Sequence, residues 1–402
     1  MNTPSIAWDA LAGQYQLRPG QQPGVLGQRP VLGPGRLAQL LAGQRGEQVG
    51  ATLSSVFTLC AHAHRRAGAL ALVAAHSGKG IAQPAEPPVL LWVETARDHL
   101  RAMALDWQPD AATTAPDLAW LRGCPLSLAS RKSTDDATAA RHILQALRAW
   151  LQDNVLYQPV DDWLRAHRQP DALAGWCWQQ AAPLAPARHL ARWHAKASVL
   201  TPACRFLDVL DLDGARQTNQ LQQLGQGIAN DAHLAQQPVW LGQCAETGAW
   251  TRLRQRPMQA SLQHTAWTRL AARWRELVEI AAANPETEEA SHADHAPLLS
   301  SGALPLAEGQ ALAWCEMARG LLLHWVQLDA RGGIQDYRVV APTEWNFHPA
   351  GALARAVAAL APDDADTARV LAAAYDPCVA CTVQATETKL INHRPPTPTR
   401  PP

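Results

Sequence analysis

The sequence predicts a mainly α-helical protein with a small β-rich portion. Among its 402 residues, several long stretches place apolar side chains at steps of three and four, the period of one buried helical face. The pattern changes at 311–341, where apolar runs at 321–328 and 334–340 flank a Gly-Gly pair. That arrangement predicts a β-hairpin.

The individual elements follow in chain order. Gly and Pro punctuate residues 1–46, so that part is expected to be irregular. A first helix is expected from Glu47 to about His76, because apolar positions from Val49 to Leu70 fall on one face. Residues 385–402 are rich in Pro and poor in apolar side chains, which predicts a mobile tail. The same periodicity predicts further helices at 90–107, 139–156, 186–200, 258–283, 350–361 and 363–374.

Charge and hydropathy exclude several classes of protein. The 35 basic and 35 acidic side chains cancel, and without a clustered basic face the chain has no electrostatic footprint for nucleic acid. No apolar run approaches the ~20 residues that a membrane span needs, and the N-terminal residues lack the features of a secretory signal. We therefore expect a cytoplasmic protein whose eight cysteines are reduced.

The segment from Asp376 to Cys381 reads Asp-Pro-Cys-x-x-Cys and carries the clearest chemical signal. Its two thiols can share a metal ion or form a redox pair, and they can also be two idle thiols. Far upstream, Cys60 and His64 are spaced i, i+4 and therefore fall on one helical face. Taken alone, neither pattern selects one of these chemistries.

Taken together, four segments of the chain resemble the large subunits of nickel–iron hydrogenases. Residues 376–381 are similar to that family's C-terminal metal-binding motif. Residues 316–325, which begin Glu-Met-Ala-Arg-Gly, resemble its Glu-Ala-Pro-Arg-Gly stretch. Residues 342–346 resemble its Pro-Thr-Thr-Trp-Asn element, and residues 55–64 its Arg-x-Cys-Gly-x-Cys-x-x-x-His motif. Order and spacing agree, so the resemblance is far more specific than any one motif.

Departures from the family pattern matter as much as the matches. A cysteine, a proline and a histidine of the family are replaced by Phe57, Ala318 and Gln384. By position, the resemblance implies that Cys60 and Cys381 correspond to the cysteines that bridge nickel and iron, and Cys378 to a nickel-only ligand. Phe57 falls on the other nickel-only position, and its phenyl ring cannot bind a metal. No Arg-x-Glu-Gly-His string occurs near the N-terminus.

The resemblance therefore implies a large-subunit-like assembly factor that receives iron with its cyanide and carbonyl ligands, transiently and without nickel. Arg319 would donate hydrogen bonds to the diatomic ligands, because a guanidinium offers several fixed donors. The side chains expected around this centre are His64, Glu316 and Asp376. An ordinary buried salt bridge of Arg319 with Asp376 or Glu316 is the alternative.

Three functions stay open from the sequence: a maturation scaffold for nickel–iron hydrogenase, a divergent catalytic large subunit, and a metal-free adapter that recruits maturation proteins. Phe57 argues against the catalytic large subunit, because its side chain cannot bind nickel. A scaffold implies three partners, namely a small chaperone, the iron-loading complex and the large-subunit precursor.

The resemblance also bears on the architecture. It implies a central helix bundle, and a metal shared by Cys60 and Cys381 requires the two ends of the chain to meet. One integrated domain over 1–384, with its helical core at 47–384, is therefore expected instead of the two or three domains that length suggests.

Overall fold

The computed structural model describes residues 12–78, 88–107, 115–126, 136–254, 263–284 and 298–385. The helices in these ranges are α1 (Arg36–Leu41), α2 (Glu47–Val56), α3 (Ala61–Ser77), α4 (Val89–Arg101), α5 (Ala137–Leu151), α6 (Val160–Ala166), α7 (Pro170–Gln180), α8 (Ala185–Val199), α9 (Gly214–Asn230), α10 (Ala249–Leu253), α11 (Ala266–Ala282), α12 (Pro342–Asn346), α13 (Ala352–Ala358) and α14 (Ala365–Tyr375). The strands are β1 (Gln14–Leu17), β2 (Val25–Gln28), β3 (Arg205–Phe206), β4 (Ala245–Glu246), β5 (Ser301–Ala307), β6 (Gln310–Met317), β7 (Gly320–Leu328), β8 (Ile334–Val340) and β9 (Ala380–Val383). The prediction of a mainly helical protein is confirmed.

Helix α11 is the centre of the helical part. It packs against α4, α5, α6, α7, α8, α10 and α14, and almost all of its side chains are buried, Trp267 and Trp274 among them. A capping box in which Thr265 and Thr268 bond each other's backbone fixes its start. The sequence predicts this helix over 258–283, of which 258–262 lie outside the described residues. A helix that is surrounded on all sides is usually apolar on every face. Helix α11 nevertheless buries charged side chains, among them Arg273 and Glu276.

The predicted hairpin is confirmed as β7 and β8, which pair antiparallel from Leu323↔Val340 to Leu328↔Ile334. It forms half of a four-stranded antiparallel sheet in the order β5-β6-β7-β8. Helix α3 packs across this sheet, and α9 packs against its first three strands as well. The strands are buried along most of their length, so alternating polarity, the usual strand signal, is weak here.

The N-terminal part contains more regular structure than its Gly and Pro content predicts. Its described residues form β1, β2 and α1. Strand β1 pairs antiparallel with β2 on one side and parallel with β9 on the other, with Tyr15 opposite Cys381. The two ends of the chain therefore share one three-stranded sheet, and one buried apolar cluster extends from Tyr15 to Tyr375.

The helix predicted from Glu47 to His76 is two helices, α2 and α3, separated at Phe57. The backbone of Phe57 leaves the helical region with φ −110° and ψ 63°, and a 3-10 turn at Thr58–Cys60 leads into α3. Glu94 on α4 fixes the new start, since its carboxylate accepts the N–H groups of His62 at 2.7 Å and Ala63 at 2.9 Å. The spacing of apolar residues continues across the break, so the sequence pattern does not predict it. The break becomes visible only in the tertiary contact with Glu94.

Two further expectations concern membrane-spanning helices and the C-terminal tail. In the described ranges, no helix is long and apolar enough to cross a membrane. Residues 386–402, which make up nearly all of the predicted mobile tail, lie outside the described residues.

Candidate metal centre

Two of the predicted thiols, Cys60 from the N-terminal motif and Cys378 from the C-terminal motif, lie in one electrostatic environment. Burial is the main reason that the pKa of Cys60 lies well above its ordinary value, and the electrostatic effect of Cys378 is the next. Arg319 acts in the opposite direction and lowers that pKa. The structure thus brings together a thiol from each end of the chain and the predicted arginine.

Cys378 is held by the Pro-Thr-Glu-Trp-Asn segment. The hydroxyl of Thr343 donates to Cys378 Sγ at 3.1 Å, and the Cys378 N–H donates to Thr343 Oγ1 at 3.3 Å. Just before it, Asp376 ends α14 in the left-handed region at φ 47°, a conformation that Asp tolerates better than most residues. Two of the motifs found in the sequence therefore form one local structure.

Cys381 occupies a different position. It lies on β9 beside Tyr15, and burial alone raises its pKa to about 12. Among the described residues, no group of three or more His, Cys, Asp or Glu side chains is arranged to hold a metal ion. Cys378 acts electrostatically on Cys60, and the pairing of Cys60 with Cys381 rests on the family pattern.

Arg319 is buried beneath this site, with 2% of its surface exposed. Its Nη1 donates to Asp98 Oδ2 at 2.9 Å, and its Nε lies 3.2 Å from Asp376 Oδ2. Within the described part of the chain, however, neither Nε nor Nη2 has a hydrogen-bond partner. Buried donors without partners are rare and costly, so the side chain has capacity for a further acceptor.

The backbone around Arg319 is fixed by close contacts. Gly320 has φ +129°, and a Cβ there would lie 2.5 Å from the Thr247 side chain. The Leu321 N–H donates to Thr247 Oγ1 at 2.9 Å. Asn346 on α12 in turn binds both the N–H and the carbonyl of Thr247, at 3.0 and 2.9 Å. Ala318 is buried and, like Arg319, lines a small cavity.

Asp376 is the charged partner of two arginines. Its Oδ2 lies 2.7 Å from Arg273 Nη1 on α11 and 3.2 Å from Arg319 Nε. Burial alone would raise the pKa of Asp376, but Arg273 and then Arg319 outweigh it and hold the pKa below its ordinary value. The carboxylate therefore stays ionised beside both guanidiniums.

Glu316 lies elsewhere. Its carboxylate accepts the Ser300 N–H at 2.8 Å and lies 3.7 Å from Arg252 Nη1. Arg252 forms a bidentate pair with Glu276 on α11, at 2.8 Å for both bonds. The alternative that the sequence leaves open, a buried salt bridge of Arg319 with Asp376, is therefore present, and Asp98 is a second partner. Glu316 pairs with Arg252 and not with Arg319.

Phe57 has a packing role. Its ring stacks on His64, with centroids 3.8 Å apart and planes 7° apart. His64 Nδ1 is 3.0 Å from His324 Nε2, and His324 Nδ1 is 2.6 Å from the hydroxyl of Tyr337. Burial lowers the pKa of His64 well below its ordinary range and that of His324 to about 3. Both rings are therefore neutral, and Phe57 covers a polar chain buried under the site.

Gln384 is exposed at the end of β9. Its backbone N–H donates to the carbonyl of Leu17 at 2.9 Å, so it continues the pairing between β1 and β9.

Sequence reasoning missed several charged residues of the site. Glu94 and Asp98 lie on α4, and burial raises the pKa of Glu94 to about 7. Arg29, Glu344 and Tyr15 form a second buried group beside the thiols. A signal existed for the first pair, since two acidic residues spaced i, i+4 interrupt a mostly apolar stretch.

Comparisons with known proteins identify the family of this chain. Residues 247–384 match the family of nickel-dependent hydrogenases, so this part of the chain is similar to that class. It is 38% identical over 398 residues to the hydrogenase expression/formation protein HoxV of Cupriavidus necator, covering 94% of this chain and 97% of that one. It is also 30% identical to the hydrogenase expression/formation protein HupK of Azotobacter vinelandii, over 93% of this chain and 99% of that one.

The chain belongs to the HoxV/HupK family of hydrogenase expression/formation proteins. A third member, HupK of Rhizobium leguminosarum bv. viciae, is 27% identical over 88% of this chain and 91% of that one. Among solved structures, an NAD+-reducing [NiFe]-hydrogenase in the H2-reduced state aligns at 14% identity with a TM-score of 0.43, over 88% of this chain and 92% of that one.

Proposed function

We propose that the protein is a maturation scaffold for nickel–iron hydrogenase, which transiently holds iron with its cyanide and carbonyl ligands and passes it to the large-subunit precursor. The observation that carries this proposal is the buried guanidinium of Arg319. Two of its nitrogens have no hydrogen-bond partner among the described residues, and it lies close enough to Cys60 to lower the pKa of that thiol.

The chemistry of the donors suits such a cargo. Thiolates are soft ligands that bind iron well, and cyanide nitrogen accepts hydrogen bonds from guanidinium donors. Cys60 is protonated before loading because its pKa is raised, so binding iron must release that proton. Buried positive charge from Arg319 favours this loss.

We assign Cys60 and Cys381 as the iron ligands from their correspondence with the family, with Cys378 as a third thiol beside Cys60. Cys381 lies on β9, opposite Tyr15. Nickel is not part of the proposed cargo, since Phe57 offers no donor and stacks on His64.

The proposed partners are hydrogenase maturation proteins, namely a small chaperone and the iron-loading complex, together with the large-subunit precursor. The proposed place of action is the cytoplasm. The names of the relatives support the general role, because HoxV and HupK are both hydrogenase expression/formation proteins.

Iron content tests the proposal. The protein is purified without air from a host that contains the maturation machinery, and iron is measured by elemental analysis. Cys60→Ala and Cys381→Ala should each lose most of the iron, while Phe57→Cys should keep it. Cys177→Ala is the matched control, because Cys177 is a fully buried thiol on α7 whose pKa is raised by burial alone.

Equal iron content in all variants would contradict the assigned ligands. Iron absent from every protein, with undiminished binding to maturation partners after Cys60, Cys378 and Cys381 are replaced, would favour the metal-free adapter instead.

A further inference from the structure

Away from the thiols of the candidate metal centre, a cysteine and a histidine form a hydrogen-bonded pair. Cys244 Sγ lies 3.2 Å from His348 Nδ1. Cys244 directly precedes β4 and is partly exposed, whereas His348 lies just after α12 and is buried. The fold therefore brings a nucleophile and a base within hydrogen-bond distance, which is how an adjacent imidazole activates a thiol.

The backbone determines which nitrogen of His348 can accept a proton. The Ala350 N–H donates to Nδ1 at 3.1 Å, so Nδ1 carries the lone pair and the ring proton is on Nε2. Burial lowers the pKa of His348 below its ordinary value, against the opposing effect of a hydrogen bond with the backbone of Gln237. The ring is therefore neutral at neutral pH, and the nitrogen that faces Cys244 is the one that can take up its proton.

The Cys244 thiol needs such a base. Burial raises its pKa, and the charge of Arg355 on α13 offsets part of that rise. The thiol is therefore mostly protonated at neutral pH, and a protonated thiol is a poor nucleophile. Transfer of its proton to a hydrogen-bonded imidazole during the attack removes that obstacle.

A second partly exposed thiol, Cys204, lies beside Cys244. Strands β3 and β4 pair in parallel, with Arg205 opposite Ala245. Cys204 and Cys244 are the residues directly before these two, so the same register places them opposite each other, about 4.8 Å apart at the spacing of paired strands. Cysteines joined by a disulfide usually have their Cα atoms about 4.4–6.8 Å apart.

Arg355 connects the segments that carry these residues. Its Nη2 donates to the carbonyl of Ala203, which precedes Cys204, and its Nη1 donates to the carbonyl of Ala350, two residues after His348. One guanidinium thus holds the start of β3 against the loop of the histidine. Both thiols and the base therefore belong to one cluster at the surface.

We propose that Cys244, His348 and Cys204 form a thiol–disulfide exchange site, separate from the candidate metal centre, that reacts with small-molecule disulfides. In the first step, the Cys244 sulfur attacks one sulfur of the disulfide while its proton passes to His348 Nδ1. An S–S bond forms between Cys244 and one half of the molecule, and the original S–S bond breaks. The other half leaves as a thiolate and takes the proton from His348.

Cys204 completes the exchange in a second step. Its sulfur attacks the Cys244 sulfur, the mixed disulfide breaks, and the second half of the small molecule leaves with the proton of Cys204. Two protein thiols are thereby oxidised to one disulfide, and the small disulfide is reduced to two thiols. Burial, supported by Glu246 and opposed by Arg269, raises the pKa of Cys204 to about 12. The second step is therefore the slower one, and the mixed disulfide accumulates first.

The test uses the full-length, reduced protein and glutathione disulfide as the probe. Samples are quenched with acid, and mass spectrometry follows each cysteine separately, because Cys124, Cys204 and Cys244 fall in different tryptic peptides. Cys124 is the internal reference. It is also partly exposed, burial raises its pKa as well, and its hydrogen bond is with the backbone of Leu126.

We expect Cys244 to form the mixed disulfide at least about 10-fold faster than Cys124, and His348→Gln to slow Cys244 about 100-fold while leaving Cys124 unchanged. Wild type should go on to a pair of peptides joined through Cys204 and Cys244. Cys204→Ser should instead keep the mixed disulfide on Cys244.

Circular dichroism verifies that His348→Gln is folded. If it is not, wild type alone decides, because the advantage of Cys244 over Cys124 should disappear in urea, where the pair with His348 is lost. Equal rates at the two cysteines in the native protein, an unchanged rate at Cys244 in folded His348→Gln, or the absence of the joined peptides would overturn the inference. None of these measurements depends on iron, so their outcome is independent of the proposed function.

Discussion

Two buried arginines, Arg269 and Arg319, are equally hidden from solvent but differ in how their donors are used. Arg269 on α11 is fully bonded: its Nε and Nη2 bind the two oxygens of Glu246 at 2.9 and 2.8 Å. Its Nη1 binds the carbonyls of His264 and Thr265 at 3.0 and 2.7 Å. The carboxylate of Glu246 also accepts the hydroxyl of Tyr375 at 2.8 Å.

Arg319 makes fewer hydrogen bonds than Arg269 within the described part of the chain. Only its Nη1 makes a hydrogen bond within the described part of the chain, to Asp98, while Nε and Nη2 have none. A structural arginine in a protein interior satisfies its donors, because each unsatisfied donor costs about 1–3 kcal/mol. Under the proposed function, Arg269 holds the fold together, whereas the donors of Arg319 serve a ligand.

The largest expected effect is the loss of stability when Arg269 is replaced. Arg269→Lys keeps the charge but loses the bidentate pair with Glu246, so we expect the free energy of unfolding to fall by about 3 kcal/mol. Urea unfolding followed by tryptophan fluorescence measures it. A loss below about 1 kcal/mol, the range of an exposed ion pair, would show that Arg269 and Arg319 do not differ as argued.

The matched change at Arg319 should cost less stability. Arg319→Lys keeps a positive charge between Asp98 and Asp376 and gives up a single hydrogen bond, so we expect a loss of about 1 kcal/mol, measured in the same unfolding experiment. A loss as large as that of Arg269→Lys would mean that Arg319 is a structural residue.

Much of the site could be predicted from the sequence, because its motifs are local. The segments at 316–320, 342–346 and 376–381 each carry several specific residues at short spacing, and the fold places Thr343 directly on Cys378. The hairpin was predictable for the same reason, since a Gly-Gly turn between two apolar runs is a short-range signal.

The rest depends on contacts between distant segments. Strand β1 is short, and its parallel partner β9 lies at the other end of the chain. No local sequence pattern therefore predicts the pairing of these two strands. Arg29 lies in a stretch rich in Gly and Pro, yet the fold buries it beside Phe57 and Glu344. Likewise, the break at Phe57 is set by Glu94 on another helix, which helical periodicity cannot detect.

Infrared spectroscopy tests the central claim most directly. In protein purified without air from a host with the maturation machinery, we predict stretching bands of both cyanide and carbonyl, together with iron. In Arg319→Lys, the cyanide bands should shift or disappear, because the guanidinium donors are gone, while Arg269→Lys should leave them in place. Absence of both kinds of band, with no iron by elemental analysis, would contradict the account.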